Sequence, residues 1–181
     1  MAGHEDLPVG HPVPGWTTRP VPPRTPMRGR FCRVEPLDPA RHGEELFAAN
    51  QLDVEGRNWT YLSVGPYQSF EDYRAWLEKV APQDDPFFHT IIDLSTGKAV
   101  GTAAYMRIVP AHGVIEVGFI NYSPLLQRTP AATEAMFLMM ARVFDELGYR
   151  RYEWKCDSLN AASRAAAARL GFQYEDRKSV V

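Results

Sequence analysis

The sequence is poor in cysteine and histidine, which limits the chemistry open to it. Its 181 residues include two cysteines, Cys32 and Cys156, and five histidines. None of these residues has the spacing of a zinc site, so we expect no metal. The polar, proline-rich start lacks the charged-then-apolar pattern of a signal peptide. We therefore expect a reducing, cytoplasmic location and two free thiols.

Long apolar runs and blocks of like charge are also missing. No apolar run approaches the roughly 18 residues that a membrane-spanning helix needs. The formal net charge is −2 and the charges are dispersed. Both features argue against a membrane or nucleic-acid partner. The length suits one domain with a full core.

The first 28 residues are set apart by composition, because they hold seven of the fifteen prolines. Such a segment is expected to form neither sheet nor helix and to run as an extended or disordered arm. Trp16 is the residue expected to anchor it. The domain itself is then predicted to span 29–175.

Periodicity and turn residues predict the elements of that domain. The predicted strands are 30–37, 87–94, 99–109, 114–122, 150–156 and a last one from 172. The predicted helices are 38–52, 69–80, 130–147 and 161–170. This order predicts an α/β protein of the α+β mixed-sheet type, in which antiparallel hairpins give way to strand–helix–strand units. The change falls at 122–137, where an open sheet leaves a crevice for a ligand.

The stretch 122–137 has the features of an anion site. Thr129 is a good N-cap, and Pro130 suits the first helical turn. A helix N-terminus with reachable N–H groups favours a phosphate. The N–H groups predicted to point outward belong to Arg128, Thr129, Ala131, Ala132 and Thr133. The alternative is an ordinary capped helix that binds nothing.

Two motifs resemble the GNAT superfamily of acyl-CoA N-acyltransferases, and within it the branch that is similar to ribosomal-protein N-acetyltransferases. Residues 127–132 (QRTPAA) resemble the phosphate loop Gln/Arg-x-x-Gly-x-Gly/Ala, with Pro130 in place of the first glycine. Residues 160–172 (NAASRAAAARLGF) resemble the signature Asn-x-x-Ala/Ser-x7-Gly-Phe. The resemblance covers roughly 29–174, and it implies a predominantly antiparallel sheet flanked by helices.

The resemblance also implies a coenzyme A site. The pyrophosphate would be held by the five amides named above, but not by Pro130. Asn160 would lie near the CoA, although it could serve only as a helix cap. Backbone groups near Asn121 would pair with the pantetheine amides and polarise the thioester carbonyl. The implied CoA-binding residues are Asn121, Gln127, Arg128, Thr129, Ala131, Ala132, Thr133, Asn160, Ser163 and Arg164.

Acetylation of an amine needs a base, and Glu116 in VIEVGF is the candidate. An apolar cleft would desolvate this carboxylate and strengthen it as a base, acting through a water. The alternative is a glutamate on the solvated face of a strand. Many relatives carry a tyrosine as acid where this chain has Ala167. Three substitutes for this acid remain open: Cys156, Ser163 and Tyr174. Two other routes also remain open. In one the thiolate leaves without an acid, and in the other Cys156 forms a covalent intermediate.

The predicted function is transfer of an acetyl group from acetyl-CoA to a primary amine, directly and in a ternary complex. The amine belongs to a protein N-terminus or to a small molecule, and a homodimer is compatible with the sequence. Trp59 and Tyr61 are predicted walls of the acceptor site, or core aromatics. One alternative is a GNAT-fold module that binds acyl-CoA without turnover. Another is a protein-interaction domain that binds no CoA.

The C-terminal end departs from the resemblance. A further hairpin and a seventh strand are implied after Tyr174, but only seven residues remain. The last six, DRKSVV, equal the translation of a common sequencing adapter. We therefore expect that 176–181 is not native and that the domain is truncated.

Overall fold

The computed structural model describes residues 10–175. The beginning of the proline-rich arm and the tail 176–181 lie outside the described residues. The prediction that this tail is not native therefore stays a prediction.

The described chain forms one mixed sheet with helices on both faces. Its strands lie side by side in sequence order, and every neighbouring pair is antiparallel except the last, which is parallel. The strands are β1 (Met27–Arg28), β2 (Cys32–Pro36), β3 (Phe87–Asp93), β4 (Lys98–Val109), β5 (Val114–Tyr122) and β6 (Arg151–Trp154). The helices are α1 (Pro39–Asn50), α2 (Phe70–Val80), α3 (Pro130–Ala141) and α4 (Ala161–Arg169). This order confirms the predicted mixed sheet.

Local sequence signals locate the starts of the helices well. The Asp38 side chain accepts hydrogen bonds from the amides of Ala40 and Arg41 at 3.0 and 3.2 Å. Ser69 caps α2 by accepting from the amide of Asp72 at 3.1 Å. These side chains satisfy amides that have no partner inside the helix, which is why both helices begin there. Past its α-helical part, α3 continues as one wider π-helical turn, Arg142–Glu146.

The prediction that the proline-rich arm forms no sheet is wrong at its end. Met27 and Arg28 pair with Val34 and Arg33 of β2 as a two-residue edge strand. Burial explains this, because the Met27 side chain lies in the core. The predicted anchor is present, since the Trp16 indole N–H donates to the carbonyl oxygen of Ala111 at 2.7 Å.

The predicted last strand is also wrong, because residues 172–175 have no regular structure. A strand needs the backbone groups of a neighbouring strand, and none pairs with these residues within the described chain. Phe172 instead packs its ring on Tyr152 and Trp154, with ring centroids 5.5 and 5.4 Å away.

Each face of the sheet has its own core. One core lies beneath α1 and α2 and includes Leu46, Tyr73, Leu77, Phe88 and Ala104. The other lies beneath α3 and includes Ile91, Tyr105, Ile115, Met139 and Val143. Because both faces are covered, the site must lie where the sheet itself opens. None of the helices in residues 10–175 is long and apolar enough to cross a bilayer.

Candidate active site

The sheet opens between β5 and β6. The two strands pair only from Val114 to Val117 on β5, opposite Arg151 to Trp154 on β6. Beyond this point β5 continues to Tyr122, while β6 has ended. Within residues 10–175, no strand therefore pairs with this edge of β5 along 118–122. These five residues of extended chain offer backbone N–H and C=O groups over about 16 Å, at roughly 3.3 Å each.

A β-bulge lies within this free segment. Two residues of β5, Phe119 and Ile120, lie opposite the single residue Ala103 of β4. Phe119 has φ 47°, which is uncommon for a residue with a side chain. Bulges of this kind bend a strand and are over-represented beside active sites.

The N-terminus of α3 follows the free segment directly. The amide of Thr129 donates to Leu126 O at 3.3 Å, and the amide of Ala132 donates to Thr129 Oγ1 at 3.2 Å. By contrast, the amides of Arg128 and Ala131 find no partner in the part of the chain that the structure describes. Arg128 is exposed, with φ 60°. Two free amides and the exposed Arg128 thus lie at one helix end, a combination that suits a phosphate.

Gln127 ties this loop to the region after α1. Its side-chain amide donates to Tyr122 O and to Asn58 Oδ1, both at 2.8 Å. Asn58 lies in the short 3₁₀ helix Arg57–Trp59 and donates to Tyr122 O at 3.0 Å. Gln127, a predicted CoA-binding residue, thus uses its side-chain amide for hydrogen bonds within the protein, and these bonds stabilise the loop.

The second predicted motif borders the opening from α4. The Asn160 side chain accepts from the amide of Ser163 at 3.0 Å and caps the helix. Ser163 Oγ accepts from the indole N–H of Trp154 at 2.9 Å, which ties α4 to the end of β6. Arg164 donates to Ser158 O at 3.2 Å. The cap role of Asn160 is therefore present, and its predicted ligand role is compatible with it.

Glu116 is buried but does not lie in an apolar cleft. Its side chain is 3% exposed. Its Oε2 accepts from Arg107 Nη1 and from Lys155 Nζ, both at 2.5 Å. Among residues 10–175 no hydrogen bond reaches its Oε1. One oxygen is thus held by two cations, and the other is open to a water or an amine.

A second bulge explains how Arg107 reaches Glu116. Arg107 and Ile108 of β4 lie opposite the single residue Ile115 of β5, and Arg107 has φ 48°. The carboxylate of Asp85 accepts from the amides of Arg107 and Ile108, at 2.8 and 2.9 Å. These bonds satisfy the amides that the bulge removes from the ladder.

Lys155 bridges Glu116 to a chain of charges along β6. Its Nζ also donates to Glu153 Oε2, and Glu153 Oε1 accepts from Arg151 Nε at 2.6 Å. Burial lowers the pKa of Lys155, but the hydrogen bonds to Glu116 and Glu153 outweigh it and raise that pKa above its usual value. Burial likewise raises the pKa of Glu153, and its bonds to Lys155 and Arg151 bring it below the usual value.

Asn121 lies on the free segment of β5 with a buried side chain. It is 5% exposed, and its Oδ1 has no hydrogen-bond partner in the described chain. A buried acceptor without a donor is costly. This oxygen has no accessible surface, so its donor would be a buried water.

The two predicted acceptor walls have different surroundings. Trp59 is buried and packs edge-on against Tyr67 and Tyr73, with centroids 5.6 and 6.5 Å away. It also borders a cavity of about 210 Å³ between α1 and the following loop. Tyr61 is about half exposed and does not border this cavity. Trp59 is therefore a core aromatic that also lines a cavity.

The predicted substitutes for the acid are spread out. Cys156 is an exposed free thiol just after β6. Tyr174 is 76% exposed. Cys32, the other cysteine, is a free buried thiol, as expected. No group of three His, Cys, Asp or Glu side chains within residues 10–175 is arranged to hold a metal ion.

Sequence reasoning missed Arg107 and Lys155. Their partnership with Glu116 depends on a bulge and on the parallel register that places Glu153 opposite Glu116. The only signal was the alternation Arg151, Glu153, Lys155 on one face of a predicted strand.

Comparisons with known proteins agree with this geometry. The acetyltransferase (GNAT) domain profile matches residues 33–173. A GCN5-related N-acetyltransferase from Brucella melitensis is 48% identical, with TM-score 0.88, over 91% of this chain and 74% of that one. A probable GNAT-family acetyltransferase from Chromobacterium violaceum is 39% identical, with TM-score 0.84, over 96% and 86%.

A more distant likeness concerns the fold alone. The microcin C7 self-immunity acetyltransferase MccE, solved with acetyl-CoA and AMP, is 17% identical with TM-score 0.70, over 82% of each chain. A search of curated protein sequences returned no match. The sheet that opens between β5 and β6, the matching domain profile and the two similar structures lead to one conclusion: the chain belongs to the GNAT family of acetyltransferases.

Proposed function

We propose that this protein transfers the acetyl group of acetyl-CoA directly to a primary amine within a ternary complex. One observation carries the proposal. The unpaired edge of β5 connects the free amides at the start of α3 to the buried carboxylate of Glu116.

Acetyl-CoA, the acyl donor, fits along the edge of β5 at 118–122 in one direction. Its pyrophosphate would bind the amides of Arg128 and Ala131, with the Arg128 guanidinium adding charge. Its pantetheine amides would pair with the backbone N–H and C=O groups of 118–122. The arm then runs from the helix end back along β5, and the thioester comes to lie where β5 and β6 part.

Glu116 is the proposed base. Its free Oε1 accepts a proton from the amine, directly or through a water, as the amine attacks the thioester carbon. The hydrogen bond from Arg107 Nη1 to Oε2, the other oxygen of Glu116, holds the carboxylate in place. The acceptor is a protein N-terminus or a small-molecule amine, entering from the face of the sheet that carries Glu116. We propose a cytoplasmic enzyme.

The test is release of free CoA from acetyl-CoA in the presence of an amine panel. With an active amine, Glu116→Gln should lower kcat by about 10²- to 10⁴-fold, the usual share of general base catalysis. The affinity for acetyl-CoA, measured by calorimetry, should stay nearly unchanged. Glu78→Gln on the exposed face of α2 is the matched control and should behave as wild type. An unchanged rate in the Glu116 variant would remove Glu116 as the base.

Two features favour a second candidate, a module that binds acyl-CoA without turnover. Glu116 is held by two cations, and Ala167 supplies no proton. Tight binding of acetyl-CoA without CoA release on any amine would select this candidate.

A further inference from the structure

We propose that Lys155 is a second catalytic residue, which gives a proton to the CoA thiolate as it leaves. This inference rests on the proposed function. It fills the place of the acid that Ala167 leaves open.

Lys155 lies at the fork of the sheet. It directly follows Trp154, the last residue of β6, where β5 and β6 part. Side chains alternate along a strand. Tyr152 and Trp154 pack against Phe172, so Glu153 and Lys155 point to the other face, where Glu116 lies.

Its side chain connects the buried base to the opening. Lys155 is 34% exposed and Glu116 only 3%, while Nζ and Oε2 are 2.5 Å apart. The ammonium therefore contacts the buried carboxylate, and its side chain is partly exposed where β5 and β6 part. A thioester at the fork would meet this ammonium first.

The charges around Lys155 keep it protonated at rest, which an acid requires. Glu116 and Glu153 both accept from it. Arg107 donates to the same Oε2 of Glu116, and Arg151 donates to the other oxygen of Glu153, Oε1. When Glu116 takes the proton of the amine, its negative charge is lost. Lys155 then has one carboxylate partner fewer and releases its proton more readily.

The reaction balances through this pair. The amine nitrogen bonds to the carbonyl carbon, and its proton goes to Glu116. The C–S bond breaks with its electron pair on sulfur, and Lys155 gives that sulfur a proton. The proton on Glu116 Oε1 then leaves to solvent, and Lys155 takes a proton from solvent. The products are an amide and free CoA thiol, and both side chains regain their starting states.

The three substitutes named from the sequence are less well placed. Cys156 is an exposed thiol with no hydrogen bond to Glu116 within residues 10–175. Ser163 Oγ accepts from the indole N–H of Trp154, which packs on Phe172 on the face of the sheet opposite Glu116. Tyr174 lies beyond α4 and is 76% exposed. Lys155 has a direct hydrogen bond to the candidate base.

Two substitutions separate proton donation from simple charge pairing. Lys155→Arg keeps a cation and hydrogen-bond donors, but arginine does not release a proton. If Lys155 is the acid, Lys155→Met and Lys155→Arg should both lower kcat with acetyl-CoA by about 10²-fold. Calorimetric affinity for acetyl-CoA should stay within about threefold. Wild-type activity in the arginine variant would overturn the proposal.

The second measurement changes the leaving group. Acetyl-seleno-CoA releases a less basic selenolate, and a less basic group leaves faster without a proton. On this donor, the deficit of both variants should shrink to less than about tenfold. An equal deficit on both donors would overturn the proposal. If the methionine variant does not fold, the arginine variant carries both measurements.

The controls keep the two hypotheses apart. Lys79→Met, on the exposed side of α2, should match wild type on both donors. If the wild type turns over and the Lys155 variants have the same kcat, the role of Lys155 is overturned and the proposed function stands. No turnover by the wild type on any amine would overturn the proposed function, and the role of Lys155 with it.

Discussion

Gly29 contacts Glu134 so closely that a Cβ atom at position 29 would lie 2.2 Å from the carboxyl carbon of Glu134. That carboxylate accepts from the amides of Arg30 at 2.7 Å, of Phe31 at 2.7 Å and of Cys32 at 2.8 Å. Burial raises the pKa of Glu134, but these three bonds bring it below the usual value. The first turns of α3 are thus fastened to the start of β2 by one side chain.

We expect Gly29→Ala to destabilise the fold by about 1–3 kcal/mol, because the new Cβ displaces the carboxylate from three charge-assisted bonds. Urea unfolding measures this. Gly10→Ala is the control, since its Cβ would meet nothing within 4 Å. In a Glu134→Gln background, Gly29→Ala should lower the free energy of unfolding by less than it does in the wild type, because the two changes disrupt one contact. If the two losses of unfolding free energy add fully, Gly29 and Glu134 do not act through one contact.

We expect Arg128→Ala to weaken acetyl-CoA binding about five- to tenfold, because an exposed guanidinium beside a helix N-terminus attracts phosphate. The loss should shrink as salt rises from 50 to about 500 mM, since ions screen exposed charges. Calorimetry at both salt concentrations measures it. Arg74→Ala on α2 is the matched control. Equal affinities of wild type and Arg128→Ala at low salt would remove the side chain from the phosphate site.

His89 should make the fold sensitive to acid. It is fully buried, and burial lowers its pKa from 6.5 to about 3. Between these values the unfolded chain binds a proton that the folded chain does not. Stability should therefore fall as pH falls through this range, by about 1.4 kcal/mol per pH unit. The nearby charges that face His89 are Arg142 and Arg24, and both oppose its protonation.

The variant His89→Phe keeps a ring between Phe87 and Tyr105. It loses the contact of Nδ1 with Phe87 O at 3.1 Å, but that loss is present at both pH values and cancels in the comparison. From pH 7 to pH 5, the variant should lose about 2 kcal/mol less stability than wild type. Urea unfolding at both values measures the difference. Equal losses would show that His89 does not set the acid sensitivity.

Local chemistry made much of the fold predictable from the sequence. Asp38, Ser69 and Thr129 cap helices that begin where they predict, because a cap acts within three residues of itself. The strand Val114–Tyr122 was predicted with its bounds. The final strand was predicted from local pattern, and residues 172–175 form none because a strand depends on a partner elsewhere in the chain.

The contacts of the candidate site could not be predicted in this way. The sequence placed Glu116 in a strand, but it did not reveal that Arg107 and Lys155 share its oxygen. Those contacts depend on a bulge in β4 and on the register between β5 and β6. Both are set by packing across the sheet, and no pattern within one strand encodes them.

The opening beside β5 has a consequence for how the protein behaves in solution. Backbone groups that no strand covers are a template on which another extended chain can add. An acyl donor that pairs with 118–122 would occupy the same groups and block such addition. The donor would then act as a solubility factor as well as a substrate, and acetyl-CoA in the buffer should delay aggregation of the protein at high concentration.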